Sequence, residues 1–234
     1  MTRLTFVLII FLSLFVSAKE SSSLSSGKIQ ARLNHVNGYS AECVMHRFYS
    51  NSGWIQLEGE VGRNGIDGLY YKKKNGVIKE VLVAESKWNT SRLGRSGKNK
   101  LVLQMSQEWV LRTLYRLQKY RYHKSYATIK QFVLHNQYRA RLFKLLPLGE
   151  DKIQIHIYKI KNKGSKAYEK LKESTLKPIV LNGPRNSFEK GMVKAYNNCR
   201  TEALEKYFPM LDNSAIQKLL LDNYLKKSDI KKYL

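Results

Sequence analysis

The sequence predicts an α/β (α+β) protein in which helices pack around a small mixed sheet, with a helical extension at the C-terminal end. Residues 38–49 carry apolar side chains at helical spacing. Residues 54–88 hold three stretches of strand composition divided by glycine-containing turns, and helical stretches then alternate with one further clear strand. The order helix, three strands, helices, strand, helices is typical of helices layered on a sheet.

The N-terminal elements follow from local patterns. The first helix presents an apolar face from Ala41 to Phe48 and ends near Gly53. The third strand is apolar on both faces, which predicts a central strand covered on both sides. Asn75-Gly76 tolerates positive φ and predicts a hairpin turn within residues 72–76. Strands are expected over residues 54–58, 66–71 and 77–88.

A glycine- and lysine-rich loop at residues 94–100 precedes a mainly helical region. Within that region Ile153, Ile155 and Ile157 alternate with polar side chains, which predicts a half-buried strand. The expected elements are helices over residues 105–120, 126–143 and 187–207, strands over 153–158 and 179–181, and one or two short helices to the end.

Residues 1–18 have the pattern of a secretory signal peptide. Arg3 precedes an apolar run, and Val16-Ser17-Ala18 offers small residues for cleavage before Lys19. The alternative is an uncleaved membrane anchor, although the run is short for a transmembrane helix, and no later stretch is apolar enough to span a bilayer. The chain then divides into a signal at 1–18, a flexible serine-rich leader at 19–27, a main domain at 28–163 and a mostly helical extension at 164–234.

The 234 residues carry a formal net charge of +24. Such an excess favours a polyanionic partner, because lysines and arginines that neutralise phosphates gain free energy through counterion release. Nucleic acid, either DNA or RNA, fits this best. The alternative is a solvated basic surface without a dedicated partner.

Two cysteines, Cys43 and Cys199, are far apart in the sequence. They are able to form one disulfide in an oxidising compartment, but sequence alone leaves open whether their backbones approach closely enough. Two distant cysteines do not make a zinc site, and the five histidines lack metal-ligand spacing.

The end of the third strand carries charge where the strand is otherwise apolar. Glu85 and Lys87 emerge on the same face, because successive side chains of a strand alternate. Burying such groups is costly unless they pair, bind a metal or take part in chemistry. Asp67 lies on the second predicted strand between glycines, and we expect it level with Glu85 across the ladder.

Two carboxylates beside one lysine suit phosphodiester hydrolysis. Carboxylate oxygens hold Mg²⁺ or Mn²⁺, which polarises the phosphate and lowers the pKa of a bound water. The lysine then steadies the attacking water or the developing charge. Asp67 and Glu85 are therefore the expected metal ligands.

These residues resemble the PD-(D/E)XK nuclease superfamily, whose restriction-endonuclease-like fold is shared with Holliday-junction resolvases and bacterial toxin nucleases. The resemblance covers residues 38–109, with Ile66 in place of the family's usual proline before the aspartate. It implies a nuclease-like catalytic domain at residues 28–163. The catalytic residues that it implies are Asp67, Glu85, Lys87, the first-helix acid Glu42 and the accessory Gln104.

Other polar residues have two interpretations. Glu58 and Glu60 either add to the metal site or form a solvated edge. His46, one turn after Glu42, either contacts substrate or pairs on the surface. Basic residues interleaved with tyrosines either grip phosphates and stack bases or decorate an exposed helix. The basic residues in this nucleic-acid-binding prediction are Arg112, Arg116, Lys119, Arg121 and Lys124.

The leading hypothesis is a metal-dependent nuclease that is secreted or periplasmic, or is delivered into another cell as a toxin. A toxin would imply an acidic immunity protein that masks its basic face. The alternatives are a non-catalytic nucleic-acid-binding protein and a cationic envelope protein that binds anionic lipid or polysaccharide.

Overall fold

A computed structural model describes residues 24–59, 65–120 and 123–234. The predicted signal peptide, most of the predicted leader, residues 60–64 with Glu60, and residues 121–122 with Arg121 lie outside the described residues. The helices are α1 (Ser26–Asn51), α2 (Gln107–Tyr120), α3 (Ser125–Leu134), α4 (Ser187–Tyr207), α5 (Asn213–Leu220) and α6 (Lys227–Lys231). The strands are β1 (Ile55–Leu57), β2 (Gly68–Lys74), β3 (Val77–Trp88), β4 (Arg95–Ser96), β5 (Val102–Leu103), β6 (Arg139–Pro147), β7 (Lys152–Lys161), β8 (Glu169–Thr175) and β9 (Ile179–Val180).

Seven of the described strands form one mixed sheet, so the predicted architecture of helices flanking a mixed sheet is confirmed at this level. The sheet order is β1-β2-β3-β6-β7-β8, with β9 also paired to β7. Only β3 and β6 run parallel among these pairs, and α2 and α3 form the crossover between them. The predicted Asn75-Gly76 turn joins β2 to β3, with φ of 52° and 76°.

Helices cover the two faces of the sheet. The α2 face packs against α2 and α3 through a core that includes Val83 and Leu142. The α1 face packs against α1 and α4 through a core that includes Leu82 and Phe143. Beyond the sheet, α1 and α4 bury a third apolar cluster against α5 and α6.

The first helix is longer than predicted. It begins at Ser26, within the predicted flexible leader. Ile29, Leu33 and Val36 recur at helical spacing and are buried in the cluster with α4 and α5, which explains the extra turns. Polar residues between them weaken the pattern in the sequence.

The prediction of one helix over residues 126–143 was wrong in its second half. Helix α3 ends at Leu134, and Asn136 adopts a positive φ of 55° that stops it. The following strand β6 is buried on both faces. A short apolar run of this kind has no periodicity that separates strand from helix, so the sequence left the choice undetermined.

Segment 164–234, predicted to be mostly helical, contains α4, α5 and α6 but also contributes β8 and β9 to the sheet. Strand β8 pairs with β7 at an edge of the sheet, and its side chains are largely exposed. Charged and polar side chains are common on edge strands, which is why the pattern of β8 did not resemble a strand. Helix α4 supplies core residues of the α1 face.

A disulfide joins Cys43 on α1 to Cys199 on α4, with their Cα atoms 5.8 Å apart. It resolves the question that the sequence left open. Cys199 lies in the core of the α1 face, and Cys43 is partly buried against it. Within the described residues, no helix is both long enough and apolar enough to cross a membrane.

Candidate active site

The pairing of β2 with β3 brings Asp67 to Glu85. Gly68 is opposite Ala84 in the last register pair, so the next position places Asp67 level with Glu85. Asp67 itself lies in a bend one residue before β2, rather than on the strand as predicted. Its Oδ2 accepts two hydrogen bonds from Ser86, at 2.9 Å from the backbone N and 3.0 Å from Oγ.

Glu85 is the buried acid of this site, with 1% of its surface exposed. Lys87 Nζ donates to its Oε1 at 2.6 Å, as alternation along β3 predicted. Gln104 Nε2 donates to the same oxygen. The other oxygen, Oε2, is buried without a hydrogen-bond partner. One oxygen of the carboxyl is therefore held by two donors, whereas the other receives no hydrogen bond and the carboxyl lies against that of Asp67.

The electrostatics of Glu85 reflect this burial. Loss of hydration raises the pKa of the Glu85 carboxyl well above its usual range, and the neighbouring Asp67 carboxylate raises it further. The ammonium of Lys87 opposes both effects by favouring the charged form. Two carboxyl groups that share a site resist being charged together unless a cation comes between them.

Gln104 connects this acid to the loop that follows β3. It lies in a turn three residues before α2, so it precedes the helix as the sequence predicted. Its Oε1 accepts a hydrogen bond from the backbone N of Gly94 at 3.0 Å. The side chain therefore links the loop after β3 to the buried Glu85 carboxylate, with one end of its amide on each.

All five predicted catalytic residues line one cleft of about 820 Å³. Helix α1 forms one wall with Glu42, the end of β3 and the bend at Asp67 form the floor, and the loop with Gln104 forms the other wall. The fold thus brings residues that are separated in the sequence, from Glu42 to Gln104, together in a single site at the end of β3.

Glu42 occupies the α1 wall and makes its own contacts. His46 Nε2 lies 3.4 Å from Glu42 Oε1, and His46 Nδ1 lies 2.6 Å from the hydroxyl of Tyr70. His46 therefore pairs locally, which is the simpler of its two interpretations.

Among the described residues, no three histidine, cysteine or acidic side chains cluster as ligands for a metal. Glu42 thus lines the cleft without joining Asp67 and Glu85.

The donors present suit a hard divalent cation. The partnerless Oε2 of Glu85 and the adjacent Asp67 carboxylate supply two oxygen ligands, and their mutual repulsion would be relieved by a positive charge. Mg²⁺ usually keeps several waters and needs only one or two protein carboxylates. Asp67 and Glu85 therefore fit Mg²⁺ or Mn²⁺ better than a cation that requires a full protein cage.

The basic residues predicted to bind nucleic acid lie elsewhere. Arg112, Arg116, Lys119 and Lys124 do not line the cleft. Arg112 is paired with Glu108, one turn earlier on α2. Arg112 and Arg116 instead border a separate groove of about 580 Å³ along α2 and α3. Glu58 is exposed and does not line the cleft either.

Sequence reasoning missed two features of the site. Ser86, which holds Asp67, stands between Glu85 and Lys87 in the motif itself, and its hydroxyl was available as a signal. Arg95 lines the cleft from the short ribbon of β4 and β5, which the sequence showed only as a loop.

Comparisons with protein-family models, with curated proteins and with solved structures found no match to this chain.

Proposed function

We propose that this protein is an exported, metal-dependent nuclease that hydrolyses phosphodiester bonds of DNA or RNA. The observation that carries the proposal is the convergence of Asp67, Glu85 and Lys87 in one cleft, with a buried carboxylate oxygen left without a partner. The net charge of +24 supplies attraction for a polyanionic substrate. The restriction-endonuclease-like fold belongs to the same proposal.

Each residue has a defined part in this mechanism. Asp67 and Glu85 would hold Mg²⁺ or Mn²⁺, which activates water and stabilises charge on the phosphate when bound. Ser86 keeps the Asp67 carboxylate turned toward Glu85 through its two hydrogen bonds. Lys87 is a half-buried cation at the scissile phosphate, where it orients the attacking water and stabilises the negative charge that develops on phosphate oxygens.

The remaining cleft residues support these groups. Gln104 fixes one oxygen of Glu85, so the other stays available to a cation. Glu42, on the opposite wall, is placed to accept a proton or to hold a water facing the phosphate. In the hydrolysis, the water oxygen bonds to phosphorus, the bond from phosphorus to the leaving oxygen breaks, and the leaving oxygen takes up a proton.

Export is supported by two features. Residues 1–18 have signal-peptide character in sequence. The disulfide between Cys43 and Cys199 suits an oxidising compartment. A secreted or periplasmic enzyme, or a toxin delivered into another cell and neutralised by an acidic immunity protein in the producer, is consistent with both.

The test is cleavage of plasmid, single-stranded DNA and tRNA by the purified protein, with Mg²⁺ or with chelator. We expect Mg²⁺-dependent cutting that disappears in Asp67→Ala, Glu85→Ala and Lys87→Ala. Glu205→Ala, at an exposed position of α4, removes an acid outside the cleft and should cut normally. Cutting that persists in the three cleft variants would overturn the proposal, and tight metal-independent binding without cutting would favour a non-catalytic nucleic-acid-binding protein.

A further inference from the structure

A row of basic side chains crosses the sheet from the acidic pair toward its far edge. Lys87 on β3 is in register with Lys144 on β6, and Lys144 is in register with His156 on β7. Each is an even number of residues from a core residue of the α2 face on its own strand, namely Val83, Leu142 and Ile160, so all three lie on that side of the sheet. Helices α2 and α3 leave this end of the face uncovered, and the three side chains are only partly buried.

The row continues onto the edge strand. Lys172 on β8 is opposite Tyr158, which lies on the same face as His156. Lys170 also reaches this face, with its Nζ 4.7 Å from the centre of the Tyr158 ring. Measured across the strands, the distance from Lys87 on β3 to the lysines of β8 is three strand spacings, or about 14 Å. We call Lys144, His156, Lys170 and Lys172 the basic row.

No acid neutralises the basic row within its own strands. Strands β6 and β7 contain neither aspartate nor glutamate, and Glu169 on β8 accepts a hydrogen bond from Asn162. Glu173 on β8 forms an ion pair with Arg141 on β6. The Arg141 side chain lies on the opposite side of the sheet from the α2 face, so this pair is not part of the basic row. On the same face of β3, Glu85 lies two residues before Lys87 and level with Asp67.

The cations of the basic row act on one another. Partial burial lowers the pKa of Lys144, and the charges of Lys170 and Arg92 lower it further. Partial burial also lowers the pKa of His156, together with the charges of Lys172 and Lys144. Grouping like charges without counter-ions is unfavourable for the fold, and a bound polyanion relieves it.

His156 is held in place by hydrogen bonds to the neutral side chains beside it. His156 Nε2 lies 3.0 Å from Gln154 Oε1, and His156 Nδ1 lies 3.4 Å from the hydroxyl of Tyr158. An amide oxygen only accepts, so Nε2 carries the proton and Nδ1 accepts from Tyr158. The platform between the lysines is therefore polar and ordered.

We propose that the basic row binds the sugar-phosphate backbone of a nucleic-acid strand and leads it across the sheet to Asp67 and Glu85. This inference rests on the proposed function and names the path of its substrate. One end of the row, Lys144, lies beside Lys87 and the acidic pair, and the row continues across β7 to the edge strand β8, which suits a chain of phosphates that passes through the cleft. Contacts of this kind position a strand without reading its bases, so binding is independent of sequence.

The test compares Lys144→Gln/Lys172→Gln with Lys190→Gln/Lys194→Gln. The control pair lies at exposed positions of α4, on the opposite side of the sheet, and removes the same charge. Binding of a fluorescent single-stranded oligonucleotide and of its duplex is measured in chelator over a range of salt concentrations. We expect the first pair to weaken binding about tenfold and to reduce the salt slope for the single strand by about 1.4, with little change for the control.

Equal weakening by both pairs would overturn the proposal, because overall charge would then explain the binding. Unchanged affinity in the Lys144/Lys172 variant would overturn it as well, and so would tight binding to anionic lipid vesicles that displaces the oligonucleotide. Binding in chelator does not depend on cutting. The measurement therefore tests strand binding by the basic row independently of the proposed nuclease activity. Asp67→Ala should retain binding at the row even where cutting is lost.

Discussion

Ser86 donates both its backbone N–H and its hydroxyl to one oxygen of Asp67. The acid therefore lies in a bend yet has a fixed orientation toward Glu85. In Ser86→Ala the backbone bond remains and the hydroxyl bond is lost. We expect a fall of about tenfold in single-turnover cleavage rate, as for other residues that orient metal ligands. Ser86→Thr keeps the hydroxyl and should restore most of the rate, whereas equal loss in both variants would argue against an orienting role.

Lys87 is expected to act on the reaction more than on substrate binding. Lys87→Met keeps much of the side-chain length and removes the charge beside Glu85. We expect kcat to fall by about 100-fold or more, with oligonucleotide affinity in chelator reduced far less. Lys144→Met, one strand away in the same register, should show the reverse pattern. Parallel changes in rate and affinity for the two variants would remove the distinction between reaction and binding.

Glu85→Gln separates function from stability. The wild-type carboxylate buries one oxygen without a hydrogen bond, whereas a glutamine amide at that position is able to donate to Asp67. We expect cleavage to be abolished and the thermal midpoint in chelator to rise. Differential scanning calorimetry measures the second effect. A lower midpoint would mean that the charge of Glu85 stabilises the fold through Lys87 and Gln104.

The disulfide is expected to contribute substantially to stability. It closes a loop over a sequence separation of 156 residues and joins the two helices of the α1 face. Cys43→Ser/Cys199→Ser should lower the free energy of unfolding by about 2–5 kcal/mol in urea titration. Reductant should produce a similar loss in the wild type and none in the double variant. Insensitivity of the wild type to reductant would show that the bond is absent in solution.

Lys163 should make stability rise with pH on the alkaline side. Partial burial, with the charges of Arg141 and Lys159, lowers the pKa of its ammonium to about 8 in the folded state. The unfolded chain keeps its proton up to about pH 10.4, so between these values it binds more protons than the native state and stability increases with pH. Urea midpoints from pH 7.5 to 9.5 measure this rise.

Lys163→Met should reduce that rise, while Lys166→Met, at an exposed neighbouring position, should leave it intact. The window ends near pH 10 because burial raises the pKa of Tyr138, and ionisation of the unfolded tyrosine then favours unfolding. An identical pH dependence in both variants would assign the effect to other groups.

The sequence predicted the parts of the fold that depend on neighbours along the chain. The bounds of β3 and the turn at Asn75-Gly76 follow from apolar composition and backbone preference. The proximity of Glu85 to Lys87 follows from alternation, and Asp67 was placed level with them by the hairpin. These interactions are local, so they are encoded in short stretches.

The remaining features depend on contacts between distant segments. Strand β6 is buried on both faces, and only its parallel pairing with β3 distinguishes it from a helix. Because residues 139–143 were assigned to a helix, Lys144 was not recognised as a neighbour of Lys87. The emphasis on Arg112 and its neighbours followed composition, which reports charge along the chain but does not show which face of the protein carries it.

The parallel pairing of β3 with β6 also has a kinetic consequence. The strand that carries Glu85 and Lys87 acquires this partner only after the 50 intervening residues from 89 to 138 have folded back across the sheet. Closing such a loop is slow relative to forming the β2–β3 hairpin. An N-terminal fragment that ends before Arg139 would contain every residue of the acidic pair and its lysine, yet the strand bearing them would have one open edge. Assembly of a competent cleft should therefore be a late event in folding, after synthesis has passed residue 147.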